Sequence, residues 1–75
     1  MQEKVMEILN YVLDKNGKET LQEMNYKLSL RDDLHLDSLD LAELTVRLED
    51  EFDVDIFEYG IINTIGEIVD IIRRE

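Results

Sequence analysis

The chain has 75 residues and a formal charge of −11, with 44% hydrophobic and 36% charged residues, three glycines, no cysteine and no proline. That length supports a single domain, residues 1–75, with one small core, and the missing cysteines exclude a disulfide framework, a thiolate nucleophile and a zinc–thiolate site. The acidity works against binding to nucleic acid or anionic membranes, and no apolar run approaches the length of a membrane span.

Met1-Gln2-Glu3-Lys4 leads straight into an amphipathic segment rather than a signal peptide, so a cytoplasmic monomer is expected. Over residues 3–15, Val5, Ile8, Leu9, Val12 and Leu13 follow the i, i+3, i+4, i+7, i+8 pattern of one helix face. Asn16-Gly17 supplies residues that tolerate a left-handed cap, which stops the helix there. Core packing accounts for this stripe, and no functional role is assigned to it.

Residues 18–36 form a long connection. Thr20–Met24 has the composition for a further turn or two of helix. Leu21, Met24, Leu28, Leu30, Leu34 and Leu36 are too numerous for a solvated loop and are expected to pin the connection across the bundle. Ser29-Leu30-Arg31-Asp32 has the form of a capping box, which predicts a single turn near residues 32–34.

Residues 34–53 carry the strongest local signal. Asp37 precedes a helix that opens at Ser38, and its carboxylate can accept the unpaired N–H groups of the first turn. Asp40 falls at the third helical position, where a negative charge also suits the positive end of the helix dipole. Leu41, Leu44, Thr45, Leu48 and Phe52 recur at helical spacing and predict a buried stripe. Leu39, Ala42 and Val46 form a second, narrower stripe, which lies among Glu43, Glu49 and Asp50 and suggests docking rather than core. Arg47 is placed to pair with Glu43 or Glu51, four residues to either side.

After Phe52, Val54 and Ile56 read as a short extended link with buried side chains. Asp55-Ile56-Phe57-Glu58 and Thr64-Ile65-Gly66-Glu67 both have the capping-box form. The first predicts a short third helix ending near Gly60, and the second predicts a last helix whose Ile65, Ile68, Val69 and Ile72 face the core. Arg73 and Arg74 complement its negative C-terminal end. The order is helix, long loop, helix, short helix, helix: an all-α four-helix bundle.

Charge is concentrated rather than spread. Residues 30–60 hold eleven acids against Arg31 and Arg47, a net −9 of the total −11. Basic protein patches are attracted to such a segment, chiefly through faster encounter. Asp53 and Asp55 do not start a calcium loop, because Phe57, Glu58 and Thr64 stand where ligands and the required glycine belong. His35 is the single histidine, without a second nitrogen or sulfur ligand, so no metal site is expected. Ser38 lacks a Gly-x-Ser-x-Gly elbow, which argues against a serine hydrolase.

Asp37-Ser38-Leu39 followed by Asp40, Glu43, Leu44, Leu48 and Glu49-Asp50-Glu51-Phe52 resembles the acyl carrier protein family. The resemblance spans roughly residues 3–73. One departure is His35, where the family commonly has glycine. The resemblance implies that Ser38 carries a 4′-phosphopantetheine arm, flanked by Asp37 and Leu39, and that the chain is not an enzyme. The reactive sulfur then arrives with the cofactor, in keeping with a chain that has no cysteine. It further implies that a phosphopantetheinyl transferase modifies Ser38 using a metal that Asp37 can approach. Asp40, Ala42, Glu43, Val46 and Asp50 form the expected recognition face for that transferase and for acyl-processing enzymes with basic docking patches. Leu44, Leu48, Ile56, Ile61 and Ile62 are candidates to line a channel for an aliphatic cargo, as in a carrier of fatty acid biosynthesis, the alternative for any one of them being plain core. The alternatives are a stand-alone aminoacyl or polyketide carrier of a secondary-metabolite or cell-envelope pathway, and an unmodified acidic helical module that binds a basic partner.

Overall fold

The computed structural model describes residues 2–60 and 62–74, with the side chain of Phe57 outside that description. Three α-helices pack around one core: α1 (Gln2–Lys15), α2 (Ser38–Phe52) and α3 (Ile65–Arg74). A single 3-10 turn, Ile56–Tyr59, lies between α2 and α3. The expected four-helix bundle is therefore three α-helices and one 3-10 turn among the described residues. The reason is local. The chain leaves α2 through Asp53 in the left-handed region (φ 56°) and turns again at Gly60 (φ 89°). The space between admits one turn, in which the Glu58 N–H donates to the Asp55 carbonyl at 3.3 Å. That is a three-residue bond, too short a run to propagate as α-helix.

Helix α1 buries Val5, Leu9, Val12 and Leu13, with Ile8 half-covered beside them. Gly17 ends it at φ 71°. The Lys18 N–H then donates back to the Leu13 carbonyl at 2.8 Å and the Gly17 N–H to the Asp14 carbonyl at 3.1 Å. This is the paired closure that a left-handed residue after a helix permits.

The long connection is pinned as its leucines predicted. Leu30, Leu34 and Leu36 are buried, and Leu21, Met24 and Leu28 pack against the core from its edge. Thr20–Met24 forms no helix. Instead the Asn10 side chain takes both backbone groups of Leu21, accepting its N–H at 2.7 Å and donating to its carbonyl at 3.1 Å. Those two bonds fix the backbone of Leu21 against α1. Ser29 does cap a single turn, accepting the Asp32 N–H at 3.0 Å. The reciprocal carboxylate is that of Asp33, which accepts the Ser29 N–H at 2.6 Å.

The same connection is stitched to the start of α3. Leu30 N–H donates to Asn63 O at 2.8 Å, Ile65 N–H to Leu28 O at 3.2 Å, and Gly66 N–H to Tyr26 O at 3.0 Å. Ser29 and Thr64 form an isolated antiparallel bridge at its centre. Gly66 allows this close approach, because a Cβ would lie 3.0 Å from the Tyr26 carbonyl oxygen and press on it. Thr64 opens α3, accepting the Glu67 N–H at 3.3 Å, while its hydroxyl donates to the Glu67 carboxylate at 3.3 Å. Helix α3 buries Ile65, Ile68, Val69, Ile71 and Ile72. No helix is long and apolar enough to cross a membrane among the described residues.

Candidate functional site

Asp37 is the N-cap of α2, in extended conformation, and Ser38 is the first helical residue. The Asp37 carboxylate accepts the Asp40 N–H at 2.8 Å, and the Asp40 carboxylate accepts the Asp37 N–H at 3.2 Å. This closed box fixes the helix start and leaves the Ser38 side chain in solvent. The Asp40 N–H, more than any other group, holds the Asp37 carboxyl below its ordinary range. Asp37 is therefore ionised at neutral pH and exposed beside the serine. Asp40 is buried and also lies 3.6 Å from the Lys18 ammonium. Its carboxylate belongs to the cap.

The residue before this box that departs from the family's glycine, His35, sits at φ 61°. That is the left-handed region glycine enters without strain and histidine enters only occasionally. It ends the turn that Ser29 caps: the Leu34 N–H donates to the Ser29 carbonyl at 3.1 Å and the Leu36 N–H to the Leu30 carbonyl at 3.0 Å, so the chain folds back on that turn at the exposed histidine.

A crevice of about 360 Å³ opens beside Ser38. Its walls are mostly apolar: Leu41, Leu44 and Thr45 from α2, with Ile62 and Ile68 opposite. Leu44 and Ile68 are fully buried, whereas Ser38 and Arg31 are exposed, so the crevice runs inward from the serine. Of the expected channel residues, Leu44 and Ile62 line it. Leu48 and Ile56 are not on its walls but fully buried in the core, and Ile61 lies outside the described residues. The reason is axial distance, not phase: Leu48 shares the face of Leu44 but lies one turn further along α2, away from the serine.

Of the expected recognition face, Ala42, Glu43, Val46 and Asp50 share one surface, whereas Asp40 is buried in the cap. Leu39 is 81% exposed and Val46 57%, while Ala42, Glu43, Val46, Arg47 and Asp50 share a shallow hollow along α2. Glu43 accepts a bond from Lys15 at 2.7 Å and from Arg47 at 3.2 Å. Those cations, Lys15 foremost, hold its carboxyl below the ordinary range. Arg47 pairs with Glu43 rather than Glu51, and its guanidinium also lies over the Tyr11 ring, 4.3 Å from the centroid. Asp50 is exposed and forms no ion pair among the described residues.

One residue at the site escaped the sequence reading. Arg31 donates from Nη2 to the Ser38 Oγ at 3.4 Å, a long contact across seven residues of turn. No helical or strand period relates the two positions, so only the folded turn brings them together.

Comparison with known proteins agrees with this geometry. The family model described as the phosphopantetheine attachment site matches residues 3–72. An acyl carrier protein of Streptococcus thermophilus is 37% identical over 67 residues, covering 89% of this chain and 84% of the relative. One from Streptococcus pneumoniae is 34% identical over 73 residues, covering 97% and 92%. A solved structure of a candidate acyl carrier protein from Mycobacterium tuberculosis superposes with a TM-score of 0.80 at 30% identity, covering 96% of this chain and 93% of the other. The chain belongs to the acyl carrier protein family, whose cofactor is 4′-phosphopantetheine and whose members are carriers that work with partner enzymes.

Proposed function

We propose that Ser38 is the attachment point of the phosphopantetheine arm and that residues 1–75 act in the cytoplasm as one carrier domain without catalysis of its own. The carrying observation is the exposed Ser38 hydroxyl at a rigidly capped helix start, open on one side to an apolar crevice. The residues fit the group. Its phosphate would meet the positive end of α2 and the Arg31 guanidinium, and its arm would start at the crevice. When bound, the cofactor supplies the thiol on which acyl groups travel as thioesters. Asp37, ionised and adjacent, is placed to approach the metal of the transferase. Leu39, Ala42, Glu43, Val46 and Asp50 offer partner enzymes an apolar strip with acidic edges, and Asp40 supports that face from the cap rather than by contact.

The crevice favours an aliphatic cargo over an aminoacyl or polar one, since its inner wall is Leu44, Ile62 and Ile68. Intact mass after incubation with coenzyme A and a phosphopantetheinyl transferase tests the attachment. The parent gains one arm and Ser38→Ala gains none. Modification at Ser29, or of nothing in the parent, rejects the reading. The cargo is tested by melts of Leu44→Ala and Leu48→Ala in holo and acyl forms. Each truncation costs about 2–5 kcal/mol. A medium-length acyl chain recovers part of that loss in Leu44→Ala, which widens the crevice, and none in Leu48→Ala, which does not line it. An acyl chain that stabilises none of these proteins points to an exposed, polar cargo.

A further inference from the structure

We infer that Arg31 is the counter-ion of the phosphodiester formed at Ser38, holding the first group of the arm against the mouth of the crevice. The inference rests on the reading of Ser38 as the attachment point. Arg31 lies in the segment that carries net −9, with Asp32 and Asp33 next to it in the chain. Lys15, Lys18 and Arg47 each pair with a carboxylate there, but Arg31 forms no ion pair among the described residues. Its guanidinium instead reaches the one neutral oxygen that modification would esterify, at 3.4 Å. A phosphate on that oxygen would bring its charged oxygens within reach of the same guanidinium. The planar fork of arginine suits two such oxygens at once. The turn that carries Arg31 is itself held by the Ser29–Asp33 box and the bond from Leu30 to Asn63, so the cation is presented by a fixed backbone. Arg31 and Ser38 both line the crevice, so a phosphate on Ser38 would sit at its mouth.

The role is that of a positioning residue, and it separates from folding because it acts only after modification. Apo and holo forms of the parent, Arg31→Gln, Arg31→Lys and Arg47→Gln are each checked by intact mass and then melted at low ionic strength. The quantity read is the change in melting temperature on modification, which subtracts any effect of the substitution on the apo fold. That change is several degrees less favourable in Arg31→Gln than in the parent, a shift equivalent to one partly exposed charged hydrogen bond in a domain of this size. Arg31→Lys recovers part of it as a point charge without the fork. Arg47→Gln, which removes the same charge from the Tyr11 side of α2, behaves as the parent. Equal changes in Arg31→Gln and the parent overturn the role of Arg31 while leaving Ser38 as the attachment point. A parent whose mass never rises overturns both.

Discussion

His35 shows how a single backbone angle can decide what a family tolerates at one position. At φ 61° a side chain crowds the neighbouring carbonyl, and histidine bears this better than most residues without escaping it. Replacing His35 with Gly removes the crowding but adds freedom to the unfolded chain, two effects of opposite sign. The strain is the larger of the two, so His35→Gly should stabilise by up to about 1 kcal/mol. His35→Val, branched at Cβ, should lose more than that. Urea unfolding of the three proteins at pH 7 measures both, and a glycine variant less stable than the parent would show that the angle is not strained. The cap around Ser38 was readable in advance because its donors and acceptors lie within four residues. The angle at His35 was not, since it closes a turn whose bonds run from Leu34 and Leu36 back to Ser29 and Leu30. Arg31 was equally hidden, because its contact with Ser38 exists only once the turn at Ser29 has formed.

At the scale of the element, α2 divides its carboxylates into two kinds. Glu43 already bonds Lys15 and Arg47, whereas Asp50 is exposed and unpaired among the described residues. Each carries one charge, so Glu43→Gln and Asp50→Asn should slow encounter with a basic transferase to a similar degree at low salt. Their complexes should differ in lifetime. A partner cation can take Asp50 at once but must displace two hydrogen bonds to take Glu43, so only Asp50→Asn should dissociate markedly faster than the parent. Stopped-flow association and dissociation rates separate the two effects, and equal lifetimes would place the contact elsewhere on the helix. The faces of α2 were legible from its spacing alone. The pairing of Glu43 with Lys15 spans 28 residues and depends on how α1 docks, which no local pattern encodes. The third helix was misjudged for a related reason: its capping pattern was present, but the left-handed residues on either side left room for one turn.

For the whole molecule, the three displaced carboxyl groups predict how stability varies with pH. Glu49 is raised above its ordinary 4.5, first by burial and then by the facing Asp55 carboxylate. A raised acid favours the folded state when protonated, and that contribution is lost as pH rises through its folded value. Asp37 and Glu43 are lowered from 3.8 and 4.5, by the Asp40 N–H and by Lys15 respectively. Their contributions are present above those ordinary values and are lost as pH falls through the folded ones. With −11 charges in self-repulsion at pH 7, stability should climb as pH drops toward about 5 and fall again below about 4. Glu49→Gln should raise stability at pH 7 and flatten the upper limb. Asp37→Asn keeps a capping side chain and should flatten the lower limb. Urea midpoints across pH 3–8 read both limbs, and a monotonic profile would contradict the assignment.

The three backbone bonds that join residues 26–30 to the start of α3 tie the Leu30–Arg31 edge of the crevice to its Ile62–Ile68 wall, which faces α2. Ile62 and Ile68 flank this seam on one side, and Arg31 follows it directly on the other. Parting these two edges therefore loads the seam. Amide protons of Leu30, Ile65 and Gly66 sit in that seam, and they should exchange with solvent at a common rate that reports how often the crevice gapes. A methyl group at position 66 would press on the Tyr26 carbonyl, a lever on gaping from a residue that never touches the cargo.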